Sequence, residues 1–307
     1  MSSGSNLYIG TYSSTGSQGI YRTQILEDHF SAPEVFAEIQ DPKYLVTDAG
    51  KLITIEKTAE GAGVALYDYS GTRLTAKIHE EDTSCYATVH GEEIYTANYH
   101  QGHFSRLICR DNRISEVETV SFHPEAGCHQ VIADEHYLVV PVLLDDVLKI
   151  YTHDLKEYAE VRFAKGTGPR HGIYSHDHRH LYVVSELSNE LYRIRVRDWK
   201  ILDTLRLSSR KEASSAAIRI HPARDLLYVS VRGINRILVI GSTEMKILQD
   251  MDCGGDHPRD ILVNENYCLT ANRFSNQVRI SRLEPDGKIG ETLDQIDIPE
   301  PVCLAIN

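Results

Sequence analysis

The run Gly168-Pro169-Arg170-His171 is followed by Ser185-Glu186-Leu187, with Glu186 fifteen residues beyond His171. Two potential cations and one carboxylate thus lie at the ends of two short strands that a tight turn would bring together. A carboxylate or an imidazole there can take a proton from water, and a guanidinium beside it can stabilise an oxyanion as it forms. Such groups work only if the elements carrying them converge.

Those elements recur. Leu7-Tyr8-Ile9-Gly10-Thr11-Tyr12 is echoed by apolar strands beginning at residues 52, 94, 138, 181, 227 and 268, a spacing of 41 to 46 residues. Each copy is followed by a polar turn and a further strand, as in Ser188-Asn189-Glu190 before Leu191 to Val196. Turn signals are frequent, β-branched residues and Tyr abundant, and no long stretch has the 3.6-residue period of a helix. A repeat of this length holding four strands has the size of a propeller blade. The expected fold is all-β, a seven-bladed propeller of four-stranded antiparallel blades, with residues 1–307 forming one domain.

Each copy is also preceded by a strand entered at Pro42, Ser84, Cys128, Pro169, Ser214, Pro258 or Pro301, which would be innermost in its blade. The last of these ends the chain, and the strand from Leu7 has no inner strand before it. Pairing the two orphans closes the ring and leaves no open sheet edge at the seam.

In an up-and-down blade, the start of the inner strand and the end of its neighbour face the same mouth of the central channel. Aligning the repeats places Lys43, Tyr44, Cys85, Tyr86, His129, Gln130, Arg170, His171, Ser215, Ala216, Arg259, Asp260, Val302 and Cys303 there. The neighbouring strands add Tyr12, Lys57, Tyr99, Leu143, Glu186, Arg232 and Arg273. One mouth therefore collects Lys43, Lys57, Arg170, Arg232, Arg259 and Arg273 around His129, His171 and Glu186. The chain as a whole carries a formal net charge of −12. The pattern describes an electropositive pocket for a small anionic molecule. Each residue also has a plainer reading: an arginine as a blade-to-blade ion pair, a histidine as a donor to neighbouring backbone, Glu186 as mere neutralisation of the arginines.

The acidic balance argues against nucleic acid and against an anionic membrane surface as partners, and no segment has the run of about 18 apolar residues that a membrane helix needs. Met1-Ser2-Ser3-Gly4-Ser5-Asn6 carries neither a basic nor an apolar stretch, so a cytoplasmic protein is expected. The six cysteines are scattered singly with no C-x-x-C pair, which suggests free thiols rather than a metal or redox site. His176, His178 and His180 alternate, but in a turn expected at the far end from the mouth. Cys128 and His129 are adjacent on a strand and so point to opposite faces.

Tyr8-Ile9-Gly10-Thr11-Tyr12, Cys128-His129-Gln130, Gly166-Thr167-Gly168-Pro169-Arg170-His171, Glu186-Leu187, His221-Pro222, Arg232-Gly233, Pro258-Arg259 and Ala271-Asn272-Arg273 resemble the seven-bladed propeller lactonase family, over essentially the whole chain. Its bacterial members are generally described as 6-phosphogluconolactonases, and fungal carboxymuconate-cyclising enzymes are distant relatives. The resemblance implies catalytic roles for His129, Arg170, Glu186 and Arg232; the position of His171, Arg259, Arg273, Lys43, Lys57 and Tyr99 at the same mouth makes them the expected substrate-binding residues. The resemblance also implies hydrolysis of a phosphorylated sugar lactone in the pentose phosphate pathway, with Glu186 or His129 as the base and no metal or other cofactor. Two alternatives stay open: a muconate-type lactone as substrate, and a propeller that binds without chemistry. Val231 and Asn235 depart from the family pattern, which usually has Asn and Asp there, and are expected to bear on substrate choice.

Overall fold

The computed structural model describes residues 5–307; Met1–Gly4, on which the reading of a missing export signal partly rests, lie outside them. Seven antiparallel sheets form the seven blades of the propeller. Counting from the seam, their innermost strands are Pro301–Ile306, Leu45–Asp48, Tyr86–His90, Ile132–Ala133, Pro169–Tyr174, Ser214–Ile220 and Pro258–Val263. The unit from Pro169, the fourth full repeat of the sequence, is therefore the fifth blade.

The blades stack face to face, so both faces of a sheet are buried, and the strands nearest the axis read as continuous apolar runs rather than alternating ones. All of Leu138–Val142 and all of Leu226–Arg232 are buried. Alternation still decides where each side chain goes. In the fifth blade Leu181 and Val183 pack toward the fourth, whereas Tyr182 and Val184 pack toward the sixth. One apolar cluster of this kind fills each gap around the ring. Outermost strands such as Lys246–Asp252 alternate exposed and partly buried residues, as solvated edges do.

The ring closes as the repeat requires. Pro301–Ile306 pairs antiparallel with Ser5–Thr11, in the register Leu7 with Ile306 through Gly10 with Cys303. Leu304 and Ala305 then point into the two gaps flanking the seam.

Four inner strands carry a register shift near their entry, and two blades depart further from the ideal. In the first, the outer strand is split into His29–Phe30 and Glu34–Glu38, both paired to Gly19–Leu26. Pro33 sits in the interruption and has no N–H to give to a ladder. In the fourth, the inner ladder shrinks to Ile132–Ala133, preceded by an isolated bridge between Cys128 and Val142. The His129 N–H donates to the Pro141 carbonyl at 3.1 Å, but Pro141 can return no hydrogen bond. The chain at Cys128-His129-Gln130 therefore runs free of regular pairing.

If the terminal strand closes the ring, deleting residues 301–307 will abolish the cooperative urea transition followed by circular dichroism and leave an aggregating product. Leu304→Ala will lower stability by about 2–4 kcal/mol. An unchanged transition in both proteins would refute the seam.

Candidate active site

Every inner strand enters the channel at the same mouth, so the loop that feeds it sets the position of its first side chains. In the fourth to seventh blades the second hairpin turn ends in a residue with left-handed backbone: Asp146 (φ 53°), Asn189 (φ 54°), Asn235 (φ 58°) and Asn276 (φ 53°). Asp and Asn tolerate this conformation and carry a short acceptor. Each reaches across to the chain entering the next blade. Asp146 accepts the Gly166 N–H at 2.7 Å and the Gly168 N–H at 2.8 Å. Asn189 accepts the Ser215 N–H at 2.8 Å, Asn235 the His257 N–H at 3.0 Å, and Asn276 the Glu300 N–H at 2.9 Å. Gly168 itself has φ +65°, and a Cβ there would lie 2.6 Å from Leu187 Cγ, so only glycine fits between Thr167 and Pro169.

At the mouth the Glu186 carboxylate stands between two guanidinium groups. Its Oε2 is 2.8 Å from Arg170 Nε and 2.8 Å from Arg232 Nη2. Arg232 is also anchored by donating to Ser214 O and Ser214 Oγ, at 3.2 and 2.6 Å. Arg170 donates through Nη1 to the Ala216 carbonyl, but its Nε–H is not aimed at an acceptor. Its contact with Glu186 is thus an ion pair by proximity. Among the described residues, Glu186 Oε1, Arg170 Nη2 and Arg232 Nη1 have no protein partner.

Burial governs the charges here. It pulls Arg170 down to about 9, with Arg259 and Arg232 adding to the effect, which leaves it cationic at neutral pH. Burial pushes the Glu186 carboxyl up, but Arg232, Arg170 and Arg259 outweigh it and hold the group below the ordinary glutamate range. His129 and His171 are driven well below the usual histidine range by burial and then by Arg170. Both imidazoles are therefore neutral.

The outer cavity has a volume of about 190 Å³ and is lined by Tyr12, Lys43, Tyr99, His129, Glu186 and Arg259, together with Thr83, Cys85 and His100. It leads inward to a space of about 20 Å³ bounded by Arg170, His171, Tyr44 and Asp260, room for a water molecule and little more. Tyr44 and Tyr86, with ring centroids 4.2 Å apart, divide this from a cavity of about 490 Å³ at the opposite mouth.

The structure thus brings together His129, Arg170, Glu186, Arg232, Arg259, Lys43 and Tyr99. His171 sits one layer deeper, beneath His129. Lys57 and Arg273 do not line the cavity, and each already has a carboxylate: Lys57 Nζ is 3.1 Å from Asp82, and Arg273 Nη2 is 2.8 Å from Glu300. Arg259 and Lys43, by contrast, have no carboxylate partner among the described residues; Arg259 reaches Tyr12 Oη at 3.4 Å and Lys43 the Thr83 carbonyl at 3.3 Å. Val231 does not approach the cavity. It is fully buried against Leu227, Val229 and Leu238, because alternation sends Arg232 to the channel and its neighbour to the core. Asn235 acts through the turn described above rather than by facing the cavity.

Tyr12 carries more weight than its sequence position suggested. It occupies a repeat position but bears no formal charge there, whereas Thr83 and His100 lie two residues and one residue outside the aligned positions. The Arg273 guanidinium lies 4.2 Å above the Tyr12 ring centroid, and Lys43 Nζ is 5.9 Å from it. His176 and His178 line the opposite cavity, where His178 stacks on Tyr174 at 5.1 Å. Among the described residues no group of three or more His, Cys, Asp or Glu side chains is set to hold a metal ion, and no helix is long and apolar enough to cross a membrane.

Against this geometry, the family model described as lactonase, 7-bladed beta-propeller matches residues 6–306. The chain is 27% identical over 338 residues to the 6-phosphogluconolactonase of Bacillus subtilis, covering 97% of each. Among solved structures, a protein from Lactobacillus plantarum superposes with a TM-score of 0.91 at 23% identity, over 99% of both chains. The periplasmic gluconolactonase of Pseudomonas aeruginosa superposes with a TM-score of 0.87 at 21% identity, over 98% of both.

The cation cage around Tyr12 is testable by titration. Arg259, then Lys43 and Arg273, favour the phenolate against the opposing effect of burial, so this phenol ionises below the usual tyrosine range. Every other tyrosine with a resolved shift moves up, Tyr44 and Tyr99 in the same channel included. Ultraviolet titration should show one phenolate appearing early as pH rises, absent from Tyr12→Phe. Identical titrations of the two proteins would rule the cage out.

Proposed function

This chain belongs to the seven-bladed β-propeller lactonase family, and we propose that it hydrolyses a phosphorylated sugar δ-lactone, 6-phosphogluconolactone to 6-phosphogluconate. The observation that carries the reading is the division of labour among the arginines. Two are committed to Glu186 and keep it ionised, while Arg259, with Lys43, remains available to an anion that the substrate brings. A reactive ester needs the first arrangement, and a phosphate on the same small molecule needs the second.

In this scheme the lactone carbonyl lies against the unpartnered N–H groups of Arg170 Nη2 and Arg232 Nη1, which meet the oxyanion as the carbonyl carbon becomes tetrahedral. Water is the nucleophile. Two groups lining the cavity could accept its proton, Glu186 through Oε1 or His129 through a ring nitrogen. Arg259, Lys43 and the hydroxyl of Tyr12 hold the phosphate, and Tyr99 forms the wall beside His129, their rings 5.8 Å apart. His171 supports the site from below. Lys57 and Arg273, already paired, contribute at the rim through the field they set rather than by direct contact. A phosphorylated substrate does not cross membranes unaided, so the proposal includes a cytoplasmic activity, with the pentose phosphate pathway as the route that uses this lactone.

The reading predicts that Glu186→Gln lowers kcat for 6-phosphogluconolactone by about a hundredfold or more, and that Arg170→Ala is comparably damaging. Rates equal to the parent enzyme in both, after subtraction of spontaneous hydrolysis, would sink it. Arg259→Ala should raise KM about tenfold or more for the phosphorylated lactone while changing KM for unphosphorylated gluconolactone little. Equal effects on both substrates, or a preference of the parent enzyme for a muconate-type lactone, would remove the phosphate from the proposal.

A further inference from the structure

The two buried histidines and Arg170 form a single file of hydrogen bonds whose direction follows from valence. Arg170 Nη1 lies 3.4 Å from His171 Nδ1, and His171 Nε2 lies 3.1 Å from His129 Nδ1. A guanidinium has donors and no acceptor, so His171 Nδ1 must present its lone pair. His171 is kept neutral by burial first and then by Arg170, with Arg219 and Arg259 acting in the same direction. It has one ring proton, and that proton is consequently on Nε2, pointing at His129. His129 is neutral for the same reasons and accepts at Nδ1, so its own proton is on Nε2. That nitrogen has no partner among the described residues, and His129 lines the outer cavity.

The rings cannot easily turn to undo this. His171 packs edge-on to Tyr86 at 5.4 Å, and His129 edge-on to His171 at 4.9 Å and to Tyr99 at 5.8 Å.

We propose that His171 is a positioning residue which fixes His129 as an N–H donor toward the lactone carbonyl, leaving the Glu186 carboxylate as the base. The proposal rests on the lactonase reading, and it resolves which of the two candidate bases acts. Water attacks the carbonyl carbon and gives a proton to Glu186 Oε1, while the carbonyl π electrons move to oxygen, held by His129 Nε2–H and the arginines. Collapse of the tetrahedral intermediate breaks the ring C–O bond, and Glu186 returns the proton to the departing alkoxide. One water is consumed and the enzyme is regenerated. A carboxyl group held at low pKa is a modest base but a strong acid once protonated, which suits the second half of the cycle. A neutral imidazole that polarises a carbonyl as donor is an established device.

The test reads the tautomer directly. Long-range ¹H–¹⁵N spectra of the histidine-labelled full chain, with His129→Gln to assign its signals, should show the Nε2–H tautomer at both His129 and His171 around neutral pH. In His171→Leu the His129 ring should lose its single tautomer and kcat should fall by about a hundredfold, with KM changed far less. His171→Gln, whose amide N–H can reach the same Nδ1, should recover at least about tenfold of that loss. An Nδ1–H tautomer at His129 in the parent protein overturns the proposal, as does a His171→Leu variant with unaltered tautomer and kcat. A protein with the stated tautomers that hydrolyses no lactone would sink the lactonase reading while leaving the hydrogen-bond order standing.

Discussion

The structure depends on one carboxylate standing between two buried guanidinium groups. Arg170 and Arg232 are almost completely enclosed, at 2% and 7% side-chain exposure, while Glu186 retains 23%. Taking two cations out of water in a narrow channel is costly, and only a carboxylate in contact with both makes their burial tolerable. The pairing also fixes what the site can do. One oxygen of Glu186 is consumed in holding the arginines, and the other is left facing the cavity. The same charges that stabilise the fold at this point keep the carboxylate ionised and the neighbouring imidazoles neutral.

Such a cluster tolerates little displacement, and the repeat supplies the positioning. Glu186 and Arg170 belong to the fifth blade, Arg232 to the sixth, His129 to the fourth and Arg259 to the seventh, so the charged cluster alone is assembled across four sheets, and Tyr12, Lys43 and Tyr99 bring in the other three. The left-handed Asp and Asn residues between these blades tie each hairpin turn to the strand entering the next. The apolar gaps fix the distance between sheets, and these polar ties fix where each strand starts. The plug of Tyr44, Tyr86 and Gln130 completes the arrangement: Gln130 donates to Tyr86 Oη at 2.9 Å and receives the Gly172 N–H. It leaves the mouth a blind pocket.

Most of this was legible in the sequence because the fold repeats. The recurrence of apolar strands gave the blade count and the seam, and aligning the repeats located Arg170, Glu186, Arg232, Arg259 and His129 at one mouth. What could not be read was any relation between side chains whose spacing is set by packing rather than by period. Asp82 lies far along the chain from Lys57, as Glu300 does from Arg273, and no pattern announces that each neutralises its partner. The contact between His129 and His171 joins neighbouring inner strands at a depth the alignment does not resolve. The split outer strand at Pro33 and the shortened ladder opposite Pro141 follow from missing N–H groups, and both prolines were visible. Their consequence depended on which side of the strand faced a ladder.

The missing N–H of Pro141 is also why His129 is available at all. In a regular inner strand its carbonyl would be consumed by the neighbour, and its side chain would be held at the ladder's pitch. Opposite Pro141 the return hydrogen bond does not exist, and the carbonyls there are met instead by the Cys85 thiol: its Sγ lies 3.5 Å from the Cys128 carbonyl and 3.6 Å from that of His129. The strand can therefore set its imidazole against the one below it. A proline that weakens the sheet in the fourth blade is what lets its His129 ring meet His171 of the fifth. Irregularity in a repeat protein is thus informative in its own right, since the repeat already accounts for everything a regular blade needs.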